Sequence, residues 1–118
     1  MELNLAVIRG PLSSDPEVRV LDSGSTVATL AVRAPAGERV TSVPISVWEP
    51  PAWFAELGEG DEVVVLGAVR RRFYRSGGGT GSRVDVEAAF IGRAGKRQLG
   101  TVAKRMEATL AELIGDLG

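Results

Sequence analysis

Leu3, Leu5 and Val7 alternate with polar or smaller neighbours, which predicts a first strand over Glu2–Arg9. Gly10-Pro11 bends that run. Ser13-Ser-Asp-Pro16 predicts a turn, because Pro16 keeps Asp15 out of helical geometry. Extended chain resumes over Glu17–Leu21 and ends at a second turn, Asp22–Ser25. Leu30 and Val32 then fall on one face and Thr29, Ala31 and Arg33 on the other, a strand over Thr26–Arg33. A short loop at Ala34–Glu38 leads to an extended run over Val40–Trp48, where Pro44 predicts an irregularity or an edge position. Pro50 and Pro51 open a short helical segment over Ala52–Leu57, closed by Gly58 and Gly60. Asp61–Arg75 reads as a long strand. It turns through a glycine-rich tip at Ser76–Ser82 and returns as Arg83–Ile91. Beyond a basic hinge at Gly92–Lys96, the residues Leu99, Val102, Met106, Leu110, Leu113, Ile114 and Leu117 recur at steps of three and four, an amphipathic helix.

With Glu2–Arg9 and Glu17–Leu21 taken as one interrupted strand, five β segments with a short helix between the third and fourth match an all-β, five-stranded Greek-key OB barrel, here with an added C-terminal helix. The pattern alone also allows a small SH3-like barrel or a sandwich. The 118 residues fit one small domain, with residues 1–92 forming the barrel and 93–118 the hinge and helix.

Composition narrows the chemistry. The chain has no cysteine and no histidine, which removes disulfides, thiolate nucleophiles and the usual zinc and imidazole sites. Neither an acidic cluster nor a nucleophile–base arrangement stands out, so the expectation is no catalysis, no metal and no cofactor. No apolar run approaches the roughly 20 residues of a membrane span, and the N-terminus lacks a basic-then-apolar signal, so a soluble intracellular protein is expected.

The net charge of −1 hides a strong division. Residues 1–68 hold four arginines against ten acids, whereas residues 69–83 hold five arginines and no acid. A local basic patch binds phosphates whatever the global charge. Those five are Arg70, Arg71, Arg72, Arg75 and Arg83, and they surround the adjacent aromatics Phe73 and Tyr74. Charge that follows a phosphate backbone beside rings that stack on bases is what single-stranded nucleic acid requires. The bland reading is a solvated strand protected from edge pairing by its charges. Alternation puts Arg70, Arg72 and Tyr74 on one face and Arg71, Phe73 and Arg75 on the other. It also turns Trp48 away from Ile45 and Val47, toward a base or a subunit interface. Arg9 and Arg33 are weaker candidates, single charges on strands with wet outer faces. The glycines at 77–79 and 81 lack the lysine and following helix of a nucleotide loop, so they read as a hairpin tip.

The blocks Leu5-Ala-Val-Ile-Arg-Gly10, Asp15-Pro-Glu-Val-Arg19, Ser23-Gly-Ser-Thr-Val-Ala28, Val47-Trp48, Gly60-Asp61, Val63-Val-Val-Leu-Gly67 and Arg72-Phe-Tyr74 succeed one another in order. Over residues 3–91 the chain resembles the bacterial single-stranded DNA-binding proteins, with Asp15–Arg19 the most specific piece. The resemblance implies an OB barrel, a homo-oligomer (a tetramer or a dimer) and single-stranded DNA as partner, bound by stacking and phosphate contacts during replication, repair or recombination. It also implies a bacterial cytoplasmic, nucleoid-associated location. Trp48 and Tyr74 take the family's stacking positions, and its register turns Phe73 into the core. Three departures accompany it: Val43 stands where an aromatic is usual, the loop at Ala34–Glu38 is short, and the chain ends in Ile114-Gly-Asp-Leu-Gly118 rather than an acidic, aromatic-tipped tail. Recruitment of repair proteins through such a tail is therefore not expected. The expectation is a non-catalytic, sequence-tolerant binder. Its rival is an OB module with weakened DNA affinity whose helix binds a protein partner. For the helix stripe, packing on the barrel or between subunits is favoured over recruitment.

Overall fold

Extended runs must pair their backbone donors and acceptors, and here they do so in one six-stranded sheet followed by a helix. The computed structural model describes residues 1–118, the side chain of Ser76 excepted. The strands are β1 (Ala6–Pro11), β2 (Glu17–Val20), β3 (Thr26–Ala36), β4 (Arg39–Trp48), β5 (Glu62–Ser76) and β6 (Gly79–Arg93). A 3-10 segment (Ala52–Glu56) lies between β4 and β5, and helix α1 (Lys96–Gly115) follows β6.

The sheet order is β1-β5-β6-β4-β3-β2. β4 and β6 pair in parallel at Ile45↔Val86 and Ser46↔Glu87, and the other pairings are antiparallel. A bridge between Leu12 and Val32 brings the end of β1 back against β3 and curls the sheet toward closure. This is the expected OB arrangement with one strand more. The first barrel strand is broken between the prolines at 11 and 16, so β1 pairs with β5 while β2 pairs with β3.

Boundaries shifted for local reasons. The segment expected to begin the first strand at Glu2 pairs only from Ala6. Ahead of it the Asn4 amide stands in for a strand backbone, donating through Nδ2 to the Val69 carbonyl and accepting from the Val69 N–H, both at 2.9 Å. The expected loop at 34–38 is a two-residue turn between Ala36 and Arg39, with β3 running on through Pro35. Pro44 pairs regularly with Ala31, and β6 joins β4 from the next residue onward.

β5 shows how the core is built. Its uninterrupted apolar run Val63–Leu66 is buried throughout, because both faces are covered. Val63 and Val65 enter the barrel core with Leu12, Leu30, Val32, Ile45 and Val86, capped at one end by Phe54 and Leu57. Val64 and Leu66 point outward and are covered by Val102 and Leu99 of α1, with Val7 and Phe90 completing the cluster. A bulge between Leu66 and Gly67 then changes the β5–β6 register. Gly67 is required there, since a Cβ would lie 2.1 Å from the Glu87 carbonyl oxygen. Past this point the hairpin leaves the barrel.

Candidate nucleic-acid interface

The outer face of the sheet is defined by register. Thr29 pairs with Ser46 and with Glu17, and Val27 pairs with Trp48 and with Arg19. Cross-strand partners share a face, so Arg19, Val27 and Trp48 form one row across β2, β3 and β4. Trp48 is 39% exposed. The chain turns away directly after it through Glu49, which adopts φ 49°, a left-handed conformation that is uncommon outside glycine. Two hydrogen bonds hold that turn. Glu49 N–H donates to the Thr26 carbonyl at 2.8 Å, and Thr26 N–H donates to Glu49 Oε1 at 3.0 Å.

Arg72 reaches this row from the hairpin. Its guanidinium carbon lies 5.7 Å from the centre of the Trp48 ring. Its Nε donates to Asp85 Oδ2 and its Nη2 to Ser46 Oγ, each at 2.8 Å, and Glu87 lies at 3.6 Å. Asp85 is only 3% exposed and its Oδ1 has no partner, so Arg72 is what compensates a buried carboxylate. Arg70 is also engaged. Its Nη1 meets Glu87 Oε2 at 2.5 Å, and that hydrogen bond and charge raise the Arg70 pKa. Both arginines were expected to contact phosphate. In the structure Arg72 is engaged by Asp85, Ser46 and the Trp48 ring, and Arg70 shares Glu87.

The rest of the hairpin is freer. Register places Arg72 opposite Arg83 and Tyr74 opposite Gly81. Tyr74 lies over Gly81, where a Cβ would come within 2.6 Å of the phenol carbon and oxygen. One ring face therefore rests on the strand, yet Tyr74 is 50% exposed. Arg19, Arg72, Phe73, Tyr74 and Arg83 line a cleft of about 370 Å³. Among the described residues no acid pairs with Arg19, Arg75 or Arg83.

Phe73 departs from expectation most sharply. It was expected in the core and is 77% exposed, because the hairpin has already passed the barrel and nothing packs against that face. On this face it accompanies Arg71, which donates to Ser82 Oγ at 3.2 Å, and Arg75 near the tip. The arm thus carries an aromatic and arginines on both faces. Val43 stands where the resemblance would place an aromatic. It packs against the core, so the outer positions flanking it on β4 are Ser42 and Pro44.

Arg33 shares the outer face but pairs with Ser42, six residues from the Val27–Trp48 pair, about 20 Å along the strand. Arg9 is elsewhere. It pairs with Glu62 at 2.8 Å at the base of β5, up to about 40 Å of strand from Tyr74. Arg19 joins the Trp48 row and lines the cleft, although the sequence did not single it out. Its signal was present in the Asp15–Arg19 block, but the row it forms with Trp48 depends on non-local pairing. Trp53 is half-buried against Phe54, with ring centres 5.1 Å apart.

Curled sheet, 3-10 segment and long basic-aromatic hairpin together make this an OB-fold protein. No family model matches the chain. Over 83 residues it is 35% identical to a single-stranded DNA-binding protein of Thermus thermophilus, covering 65% of this chain and 32% of that protein. A second Thermus thermophilus single-stranded DNA-binding protein matches at 35% over 83 residues, with 65% and 31% covered. The chain thus spans about a third of the length of the curated relatives it matches. In structure it is similar to wild-type single-stranded DNA binding protein from Thermus aquaticus, with a TM-score of 0.64, 26% identity and coverage of 80% of this chain and 41% of that one. A deletion mutant of the same protein gives a TM-score of 0.65 at 26% identity, with 80% and 42% covered. In sequence and in fold, the chain is thus similar to single-stranded DNA-binding proteins.

Proposed function

We propose that this chain is a non-catalytic binder of single-stranded DNA, tolerant of sequence, that coats exposed strands during bacterial replication, repair or recombination. The observation that carries the reading is the cleft shared by Tyr74, Phe73, Arg83, Arg19 and Arg72, next to the Trp48 platform that Arg72 holds. Bases stack on Trp48 and on the open face of Tyr74, while Arg19, Arg83 and Arg75 take phosphates. Stacking does not discriminate among bases, since each has a π-face. In this division of labour residues 1–92 hold the strand in the cytoplasm, and 93–118 serve assembly into a homo-oligomer.

One observation favours the rival reading, an OB module with reduced affinity. Glu87 and Asp85 offset two of the five hairpin arginines. Titrating oligo(dT) against tryptophan fluorescence at two salt concentrations separates the two. The proposal expects quenching whose affinity falls as salt rises, because each phosphate contact releases counterions. Absence of binding at low salt contradicts it and leaves the interaction module.

A further inference from the structure

The apolar stripe of α1 outlasts the barrel it docks on. Leu99 and Val102 seat the first turns against Val64 and Leu66. Met106, Leu110, Leu113 and Leu117 continue the same side of the helix at steps of three and four, and all four are exposed, as is Ile114. A contiguous apolar face of this kind marks an interaction surface.

The charges on α1 say what covers it. Residues 96–105 carry Lys96, Arg97, Lys104 and Arg105 with no acid, and residues 106–118 carry Glu107, Glu112 and Asp116 with no base. The first turn holds no acidic residue and the last turn no basic one. A helix macrodipole favours the opposite arrangement, acids near the N-terminus and bases near the C-terminus. The polarity therefore disfavours the lone helix. It becomes favourable when a second helix lies antiparallel alongside, because basic half then faces acidic half and the two dipoles oppose. A parallel copy sets like charge on like, and a polyanion meets acids beside the exposed leucines.

We infer that α1 pairs antiparallel with α1 of a second copy of this chain through Met106, Leu110, Leu113 and Leu117. This makes specific the self-association in the proposed function and does not depend on DNA binding. Setting Met106 against Leu113 of the other copy, and Lys104 and Arg105 against Glu112, puts Leu110 near the twofold axis and Leu117 far from it. The amino terminus, which meets Asp116 at 2.5 Å, ties the segment ahead of β1 to the same helix end.

The chain has no cysteine, so single substitutions report geometry cleanly. Sedimentation velocity of the full chain over a concentration series is expected to show reversible association. Under mild oxidation Leu110→Cys is expected to form a disulfide-linked dimer, and Leu117→Cys is not. Leu110→Glu with Leu113→Glu alters only exposed positions and is expected to leave the circular dichroism of the fold intact while abolishing association. A monomer at every concentration overturns the inference. So does equal cross-linking of both cysteine variants, which indicates a parallel pair, or association that survives the double glutamate variant, which places self-association on the barrel. Each of these results leaves the oligo(dT) titration unaffected, so the DNA-binding reading stands or falls separately.

Discussion

β5 is two strands in one. From Val63 to Leu66 it is buried on both faces, by the barrel on one side and α1 on the other. From Arg71 to Tyr74 it leaves both faces to solvent apart from Arg72, with Phe73 open on one and Tyr74 on the other. The bulge at Leu66/Gly67 separates the halves. The contrast shows how a small barrel spends one continuous strand on stability and then on recognition. The lower half supplies apolar burial, at about 25 cal/mol per Å². The upper half leaves rings and charges exposed, the surface that the proposed function assigns to DNA.

The contrast breaks most visibly in the lower half. Val65→Asp places an unpaired carboxylate in the barrel core and is expected to abolish cooperative thermal unfolding, read by circular dichroism. At the junction, Arg72→Gln leaves the buried Asp85 carboxylate uncompensated. It is expected to cost about 3 kcal/mol of stability in a urea titration, and to lower oligo(dT) affinity by freeing Trp48. If Arg72 were a solvated phosphate contact, stability would not change. In the upper half the sign pattern reverses. Tyr74→Ala is expected to leave the urea midpoint within error while weakening oligo(dT) binding by roughly 1–3 kcal/mol, alike for all sequences. Smallest is Arg83→Gln, which is expected to reduce the slope of log affinity against log salt by about 0.7, one phosphate contact on a single strand. Arg9→Gln, removed from the cleft and paired with Glu62, is expected to leave that slope unchanged.

Much of this was legible from local pattern. The run over Asp61–Arg75 read as one long strand, and the alternation around Trp48 turned it outward. Parity divided the hairpin into an Arg70–Arg72–Tyr74 face and an Arg71–Phe73–Arg75 face, as the register has it. Parity does not say whether a layer covers either face, which is why Phe73 was assigned to a core that ends below it. Nor does sequence distance reveal the pairing of Arg72 with Ser46 and Asp85, residues from three strands that meet only after the barrel curls. Arg19 meets Val27 and Trp48 only through non-local strand pairing, which local pattern does not reveal. The exposed half of α1 has the same origin. Its stripe was evident, and where the barrel stops beneath it was not.

Ultraviolet cross-linking of the wild-type protein to oligo(dT), with the adducts located by peptide mapping, tests the division of β5 most directly. The account predicts adducts on the peptides that carry Trp48 and Phe73–Tyr74. Adducts confined to Trp53 or Phe90, or none at all, would contradict it.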